Sequence, residues 1–235
     1  MVWTRSSQPA VPVVWHTFQA RDGDESDGRL VTYRVQDLTE DRHEDLIEHF
    51  LDNFLVDEPM SAASGSAEKQ QSGAVSLWKP ILEENMTLVC YKEGSDEIIG
   101  ANILAIRDSE NYLITTEERD VALNIVDYAS KQFDYTEHYG VVDRMVAYGL
   151  SVGKRYRGRG IATEILKARV PLCKAFGIKL AAHSFSAIGS QKAATKAGYR
   201  TDYEITYDDL AKMGPEYAMP GITSKNFKLM SYYIE

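Results

Sequence analysis

One stretch of sequence decides the fold of this chain: Met145-Val146-Ala147-Tyr148-Gly149-Leu150-Ser151-Val152-Gly153-Lys154-Arg155-Tyr156-Arg157-Gly158-Arg159-Gly160-Ile161-Ala162. Its first half alternates larger apolar residues with smaller ones, which is the pattern of a β-strand. Beyond it, apolar residues recur near the helical period as far as Gly177, which predicts a long α-helix. The chain is therefore expected to pass from a strand through a tight turn into a helix.

The turn between them has the spacing Arg155-x-x-Gly158-x-Gly160. Two glycines at the mouth of a helix let the backbone approach a ligand without a Cβ in the way. The unpaired N–H groups of the first helical turn, with the positive end of the helix dipole behind them, favour phosphate. Arg155, Arg157 and Arg159 can add charge-assisted hydrogen bonds to the same anion.

Composition narrows the class of protein. The 235 residues, 44% of them apolar, are enough for one larger α/β domain with a sizeable core. The net charge of -9 argues against general nucleic-acid binding. No apolar run is long enough to cross a bilayer, and the N-terminus lacks the apolar stretch of a signal peptide. With Cys90 and Cys173 expected as buried thiols in a reducing compartment, we expect a cytoplasmic protein without a membrane partner.

From residue 30 onwards the residue patterns predict the order β-α-α-β-β-α-β-α-β-α-β-β, a mixed sheet covered by helices. Residues 1–29 are expected to be an N-terminal extension, partly disordered, with an added strand between Val11 and Phe18. The polar segment Ser61–Ser72 is predicted to be a mobile loop. Glu93-Gly94-Ser95-Asp96 is predicted to be a hairpin turn between strands at Met86–Lys92 and Glu97–Arg107.

The succession of strand, Arg-x-x-Gly-x-Gly turn, long helix, strand, short helix, Ala197-Gly198-Tyr199 and strand resembles the GNAT acyltransferase superfamily. The resemblance implies an α/β fold of the α+β type, with a mixed, mostly antiparallel central sheet flanked by helices, in a single domain over residues 30–235. It also implies that acetyl-CoA is the co-substrate, held by the turn and by the strand before it. The residues implied to bind it are Leu150, Ser151, Val152, Arg155, Arg157, Gly158, Arg159, Gly160, Ile161 and Ala162.

Two further motifs resemble the insect arylalkylamine N-acyltransferases. Phe54-Leu55-Val56-Asp57-Glu58-Pro59-Met60 is similar to their Asp-Glu-Pro signature, which implies that Pro59 and Met60 contact the substrate. Ser186 and Ser190 match two serines of that family. Many other GNAT enzymes carry a tyrosine acid where this chain has Ala194. The resemblance implies direct transfer of an acetyl group to the primary amine of a small arylalkylamine, such as serotonin, dopamine, tyramine or octopamine. We also expect a monomer that needs no metal.

Glu58 is the candidate general base, acting through water, because an alkylammonium with a pKa of about 10.4 must lose a proton before it attacks. The alternative for Glu58 is a solvated carboxylate in a turn that ends a helix. Ser186 and Ser190 are candidates to orient the substrate or to protonate the thiolate of CoA. For Ser190, a helix N-cap is an equally good reading. His183 is interpreted as a core histidine rather than part of a proton relay.

Other functions stay open. Agmatine, polyamines or longer acyl groups are alternative substrates, and a protein N-acetyltransferase or a non-catalytic acyl-CoA-binding module is a weaker reading. An acidic segment suits the approach of a cationic amine, although its charges are more simply explained as solvated loop residues. It contains Asp108, Glu110, Glu117, Glu118 and Asp120. His43, Glu48 and His49 share a predicted helix, but their spacing does not indicate a metal site.

Overall fold

Eight strands form one sheet in this computed structural model, which describes residues 3–22, 28–63, 67–108 and 120–235. The strands are β1 (Val14–Arg21), β2 (Leu30–Asp37), β3 (Leu88–Lys92), β4 (Gly100–Arg107), β5 (Arg144–Val152), β6 (Leu180–Phe185), β7 (Arg200–Thr206) and β8 (Asn226–Tyr233). Their order across the sheet is β1-β2-β3-β4-β5-β6-β8-β7.

The sheet opens between β5 and β6. All other neighbouring strands are antiparallel, whereas these two are parallel and are paired only at Met145 and Ala181 among the described residues. Beyond that point the two strands diverge towards their carboxyl ends. The backbone of β5 therefore has a free edge facing a gap in the middle of the sheet.

Eight helices accompany the strands in the described part of the chain. They are α1 (His43–Phe50), α2 (Pro59–Ala63), α3 (Ala67–Leu82), α4 (Val121–Ser130), α5 (Tyr135–Tyr139), α6 (Ile161–Ala175), α7 (Ile188–Lys196) and α8 (Tyr207–Met213). A π-helical turn at Leu51–Leu55 continues α1. None of the described helices is long and apolar enough to cross a membrane.

Alternating side chains of the sheet enter two separate cores. Leu104 and Met145 pack with Ile165 and Leu172 of α6 on one face. Their strand neighbours Ile103 and Val146 belong to the core of α1 and α3 on the other face. A period of two along a strand sends successive residues to opposite faces, so a sheet covered on both sides needs apolar residues at almost every position. The continuous burial of Gly100–Ile106 in β4 follows from this.

The mixed, mostly antiparallel sheet and the predicted order of strands and longer helices from residue 30 are confirmed, but the structure adds three short helices, α2, α5 and α8, that the predicted order lacks. The prediction of a mobile loop at Ser61–Ser72 is wrong, because α2 extends to Ala63 and α3 begins at Ala67. The second hairpin strand begins at Gly100 rather than Glu97, since residues 93–99 form a longer turn. Most of the acidic segment, including Glu110, Glu117 and Glu118, lies outside the described residues.

The N-terminal segment is attached to the domain by a buried carboxylate. Asp37, at the end of β2, is 1% exposed. It accepts hydrogen bonds from both Nη atoms of Arg5 at 2.9 and 2.8 Å, from the backbone N–H of Val13 at 2.9 Å and from Nε1 of Trp15 at 2.6 Å. His16 also pairs with Glu164 on α6, with 2.7 Å between Nε2 and Oε2. Strand β1 therefore buttresses the helix that follows the glycine turn.

Replacement of Asp37 should destabilise the fold strongly. Asp37→Ala leaves the Arg5 guanidinium buried without its partner, which costs roughly 3–5 kcal/mol. Denaturant unfolding of the full chain measures this loss. As a control, Asp45→Ala removes a half-exposed carboxylate that pairs with Arg42, and it should cost about 1 kcal/mol or less. Similar losses in the two variants would contradict the role assigned to Asp37.

Candidate active site

A bulge in β5 shapes the centre of the candidate site. The pairing of β4 with β5 shifts between Asn102 and Leu104, so that Tyr148 and Gly149 are displaced from the regular ladder. Two side chains satisfy the carbonyl groups there. Nε1 of Trp78 donates to the carbonyl oxygen of Tyr148 at 3.0 Å, and Nδ2 of Asn102 donates to that of Gly149 at 2.7 Å.

Glycine is required at position 149. Its φ of +141° lies in the region that residues with a side chain rarely adopt. A Cβ at this position would also lie 2.6 Å from Cε1 of Phe50. The bulge is therefore fixed by sequence as well as by the two hydrogen bonds.

The strand register directs two N–H groups into the gap between β5 and β6. The N–H of Gly153 donates to Ile99 of the neighbouring hairpin at 2.9 Å, and this bond faces β4. Because antiparallel partners alternate between bonded and non-bonded pairs, the pairs Asn102–Leu150 and Gly100–Val152 are non-bonded ones. The N–H groups of Leu150 and Val152 therefore point away from β4 and towards the gap.

The glycine turn leads directly into α6. A 3-10 turn at Lys154–Tyr156 is followed by Gly158 and Gly160, whose φ angles are +78° and +83°. A Cβ added at either glycine would meet no atom within 4 Å, so open space lies in front of both. Helix α6 starts at Ile161 with no side-chain cap, which leaves its first N–H groups available to an anion.

The three arginines of the turn occupy different positions. Arg157 donates to Asp57 at 2.7 Å and to the carbonyl of Asn53 at 2.7 Å, which connects the turn to the segment before α2. It also donates to the carbonyl of Val152, at the end of β5, at 2.9 Å. Arg155 pairs with Glu97 at 2.5 Å and does not line the main cavity.

Arg159 lies instead beside a second cleft of about 550 Å³. This cleft is formed between the turn and the end of β1.

Glu58 lies at the start of α2 in the position of an N-cap. Its Oε2 accepts the backbone N–H of Ser61 at 2.7 Å and the Ser61 hydroxyl at 2.8 Å. Its Oε1 accepts the backbone N–H of Met60 at 3.1 Å and the hydroxyl of Ser186 at 2.6 Å. The carboxylate is half-buried and holds four hydrogen bonds, so the interpretation as a freely solvated turn residue is wrong.

The two serines differ in their contacts. Ser186, directly after β6, donates to Glu58 across 128 residues of sequence. Ser190 donates to the carbonyl of Ala187 at 2.9 Å, and α7 begins at Ile188 with Ala187 as its N-cap residue. The prediction that Ser190 caps this helix is therefore wrong, because the helix starts two residues before it.

One cavity of about 670 Å³ joins these groups. At one end it is lined by the glycine turn and the first residues of α6, and in the middle by Leu150, Ser151 and Val152. At the other end lie Glu58, Ser186 and Ser190, beside apolar side chains. These are Phe54, Met60, Leu77, Val126 and Phe227. Pro59, at the start of α2, is buried and is not among the residues that line the cavity.

Tyr207 and Ser61 were not predicted from the sequence as members of the site. The Tyr207 hydroxyl points towards the carbonyl of Ser186 at 3.5 Å. Burial, and then the charge of Glu58, raise the pKa of Tyr207, so its phenol stays protonated at neutral pH. The helix-start signal that could have indicated the contact of Ser61 with Glu58 is Pro59, which is favoured at the first position of a helix and leaves the N–H groups of the first turn free for the Glu58 carboxylate.

Two histidines have lowered pKa values, the buried His49 and the half-buried His183. His183 lines the cavity, and its Nδ1 lies 3.4 Å from the backbone nitrogen of Ala147. Burial, and then the charge of Arg169, lower the pKa of His183 to about 3. Burial lowers the pKa of His49 to about 4. At neutral pH both side chains are therefore neutral imidazoles, and neither carries the additional proton of an imidazolium that could pass to a leaving group.

The fold should lose stability in acid for this reason. Below pH 6.5 the unfolded chain protonates both histidines while the native chain does not, so stability falls from about pH 6.5 towards pH 4. Denaturant unfolding at pH 7 and pH 5 should show a smaller loss for the double variant His49→Gln/His183→Gln than for the parent. The single variant His138→Gln, which removes an exposed histidine, serves as a control for the substitution itself. An unchanged loss in the double variant would refute the assignment.

The comparisons with known proteins agree with this geometry. No family model and no curated protein matches the chain. A solved structure from the yellow fever mosquito Aedes aegypti, assigned as an arylalkylamine N-acetyltransferase 7, is 44% identical. It superposes with a TM-score of 0.93 over 99% of this chain and 100% of its own.

Two more distant structures share the fold. Arylalkylamine N-acetyltransferase 2 of Aedes aegypti is 21% identical, with a TM-score of 0.72 over 86% of this chain and 99% of its own. The polyamine N-acetyltransferase of Drosophila melanogaster is 16% identical, with a TM-score of 0.70 over 86% of this chain and 100% of its own. The sheet, the glycine turn and the 44% identity along the whole chain lead to one assignment: the chain is an acetyltransferase that belongs to the insect arylalkylamine N-acetyltransferases of the GNAT superfamily.

Proposed function

We propose that the protein transfers the acetyl group of acetyl-CoA to the primary amine of a small arylalkylamine, with Glu58 as the general base. The observation that carries this proposal is the contact between Ser186 and Glu58, 2.6 Å apart at the amine end of the cavity. Glu58 and Ser186 lie 128 residues apart in the sequence, and the fold does not require a contact between them. Their meeting joins an acid–base pair to a phosphate-binding turn in one cavity.

The fit of coenzyme A to this cavity is supported by three features. The open space in front of Gly158 and Gly160 suits a diphosphate on the N-terminus of α6. The N–H groups of Leu150 and Val152 face the gap, where the amide groups of the pantetheine arm can pair with them as an added strand would. Because Glu58 lines the same cavity as the turn, an arm that starts at the turn can bring the thioester towards the carboxylate.

The arrangement also accounts for the movement of protons. The amine reaches the site mostly as an ammonium ion, and one of its protons passes through water to Glu58. The four donors on Glu58 fill the lone-pair positions of its two oxygens, so one of them must move aside. The hydroxyls of Ser61 and Ser186 can rotate, whereas the backbone donors are fixed. As its hydroxyl rotates, Ser186 is free to donate to the departing thiolate.

An aryl substrate fits better than a guanidino or polyamine substrate. The wall beside Glu58 is apolar, and the only other carboxylate among the described lining residues, Asp57, is paired with Arg157. Asp120 accepts the N–H of Leu123 at 2.8 Å as the N-cap of α4. A second cationic group of a polyamine therefore has no free carboxylate among these residues. Release of CoA thiol with tyramine, serotonin, agmatine, spermidine and a lysine peptide tests this order, and a preference for agmatine or the peptide would overturn it.

Removal of the base should be visible in the pH dependence. Glu58→Gln is expected to lower kcat about 10²–10⁴-fold at neutral pH. The deficit should shrink as the pH approaches the amine pKa of about 10.4, because the substrate then arrives already deprotonated. The exposed Glu44→Gln is the matched control and should keep the parental profile. Near-normal turnover of Glu58→Gln at every pH would remove Glu58 from the mechanism.

The glycine turn can be tested separately from the amine site. Gly160→Ala places a methyl group in the space assigned to the diphosphate, so the KM for acetyl-CoA should rise about tenfold or more while the amine KM changes little. Gly177→Ala is the matched control, since Gly177 has a φ of +70°, similar open space, and lies at the far end of α6. It should lose about 1 kcal/mol of stability without a change in KM. Equal effects on both KM values would contradict this placement.

A further inference from the structure

A fully buried arginine lies behind the middle of the cavity. Arg169, on α6, is 0% exposed and contributes to the cavity wall. Its Nε donates to Oδ1 of Asn102 at 2.8 Å, and its Nη1 lies 3.4 Å from the hydroxyl of Tyr199. Its Nη2 is buried without a hydrogen-bond partner among the described residues. A buried cation is costly, so a charge in this position calls for an explanation.

The charge of Arg169 has no counter-ion within the described chain. None of the ion pairs of the described residues includes it. The titratable groups that its charge affects are His183 on β6, Cys173 on α6 and Tyr199 before β7, none of which is a carboxylate. His183 is neutral, and burial raises the pKa of the Cys173 thiol to about 12. No described residue neutralises the guanidinium, so it is available to a negative charge that forms in the cavity.

We propose that Arg169, acting through Asn102, is a positioning residue that aims the N–H of Leu150 at the thioester oxygen and supplies positive charge for the anion that forms during transfer. This inference rests on the proposed function. It assigns a role to a residue outside the motifs that point to the family.

Two hydrogen bonds connect Arg169 to the bulge in β5 through Asn102. Because Arg169 Nε occupies Oδ1 of Asn102, the amide of Asn102 must present Nδ2 to the carbonyl of Gly149. The peptide between Gly149 and Leu150 is planar, so holding its carbonyl also holds the Leu150 N–H, which points the opposite way. That N–H faces the gap between β5 and β6. Arg169 thus fixes, through one amide, the direction of the donor at the bulge.

The position of Arg169 along α6 also places its charge near the proposed reaction. Arg169 lies eight residues after Ile161, which is about 12 Å along the helix axis from the phosphate-binding end. An extended pantetheine arm that starts at that end therefore reaches its thioester near the level of Arg169 and His183. Charge in a site shielded from water acts more strongly than in solution.

The proposed reaction forms two anions that this charge would stabilise. The amine lone pair forms the new C–N bond, and the carbonyl electron pair moves to the oxygen, which becomes an anion beside the Leu150 N–H. Collapse of this intermediate breaks the C–S bond and releases CoA as a thiolate. Glu58 takes the first proton of the ammonium through water before the attack, and the second proton leaves the nitrogen as the intermediate collapses and passes through the Ser186 hydroxyl to the thiolate. Both the oxyanion and the thiolate are negative, and the fixed guanidinium favours each of them over the neutral thioester.

A titration of the bound thiol tests the charge of Arg169. With CoA bound to the full-length enzyme, thiolate formation is followed by its ultraviolet absorbance as the pH is raised. We expect the bound thiol of the parent to have a pKa no higher than the ordinary value of about 8.5, in spite of burial. Arg169→Met should raise it by at least about half a pH unit, whereas Arg169→Lys, which keeps the charge, should raise it less.

Kinetics test the positioning role. Arg169→Met should lower kcat about tenfold or more, with the KM values for acetyl-CoA and amine and the Kd for CoA all within about threefold of the parent. A folded Arg169→Met variant with parental kcat would overturn the proposal. If that variant does not fold, the parental titration still decides, since a bound thiol with a pKa above that of free CoA would contradict the expected stabilisation of the thiolate. A parent that does not bind CoA at all would instead refute the proposed function.

Discussion

The open edge of β5 is the constraint on which the rest of the structure depends. In the middle of a sheet, the N–H and C=O groups of a strand normally form hydrogen bonds with the strands on both sides. Here β6 leaves β5 after a single registered pair, and a bulge turns the adjacent peptide towards the opening. The exposed donors of Leu150 and Val152 can exist inside a domain only because a ligand or water can reach them. The glycine turn and α6 continue from the same strand, so the parts of the cavity that we propose to bind the diphosphate and the thioester are joined by one continuous backbone.

The bulge itself is held by side chains from distant parts of the chain. Trp78 comes from α3 and Asn102 from β4, and each satisfies one carbonyl that the ladder no longer pairs. A bulge with unsatisfied carbonyl groups would be costly in a buried position. Residues that look like ordinary core or strand positions in the sequence therefore support the geometry at which the acetyl group is proposed to react.

Periodicity made the strand, the turn and the long helix predictable, because each contains a repeating apolar pattern or a glycine with one conformational role. The polarity of Ser61–Ser72 wrongly predicts a loop, whereas Ala67-Glu68-Lys69-Gln70-Gln71 contains good helix formers. Ser190 was judged from residue type alone, whereas the position of the cap depends on where β6 ends. The partners of Glu58 and of Arg169 could not be predicted, since Ser186 and Asn102 reach them only through the folded topology. Arg169 did carry a signal, as a charged residue among the apolar positions of α6.

The three tryptophans of the chain divide between two regions. Trp78 packs edge-on against Phe50 at 5.2 Å between ring centroids, and its indole N–H is fixed to the bulge. Trp3 and Trp15 both contact Phe176 at the far end of α6, where the N-terminal segment is attached. The intrinsic fluorescence of the protein consequently has two separable sources. One emitter is suited to report ligand arrival at the bulge, and the other two to report detachment of the N-terminus, without any added label.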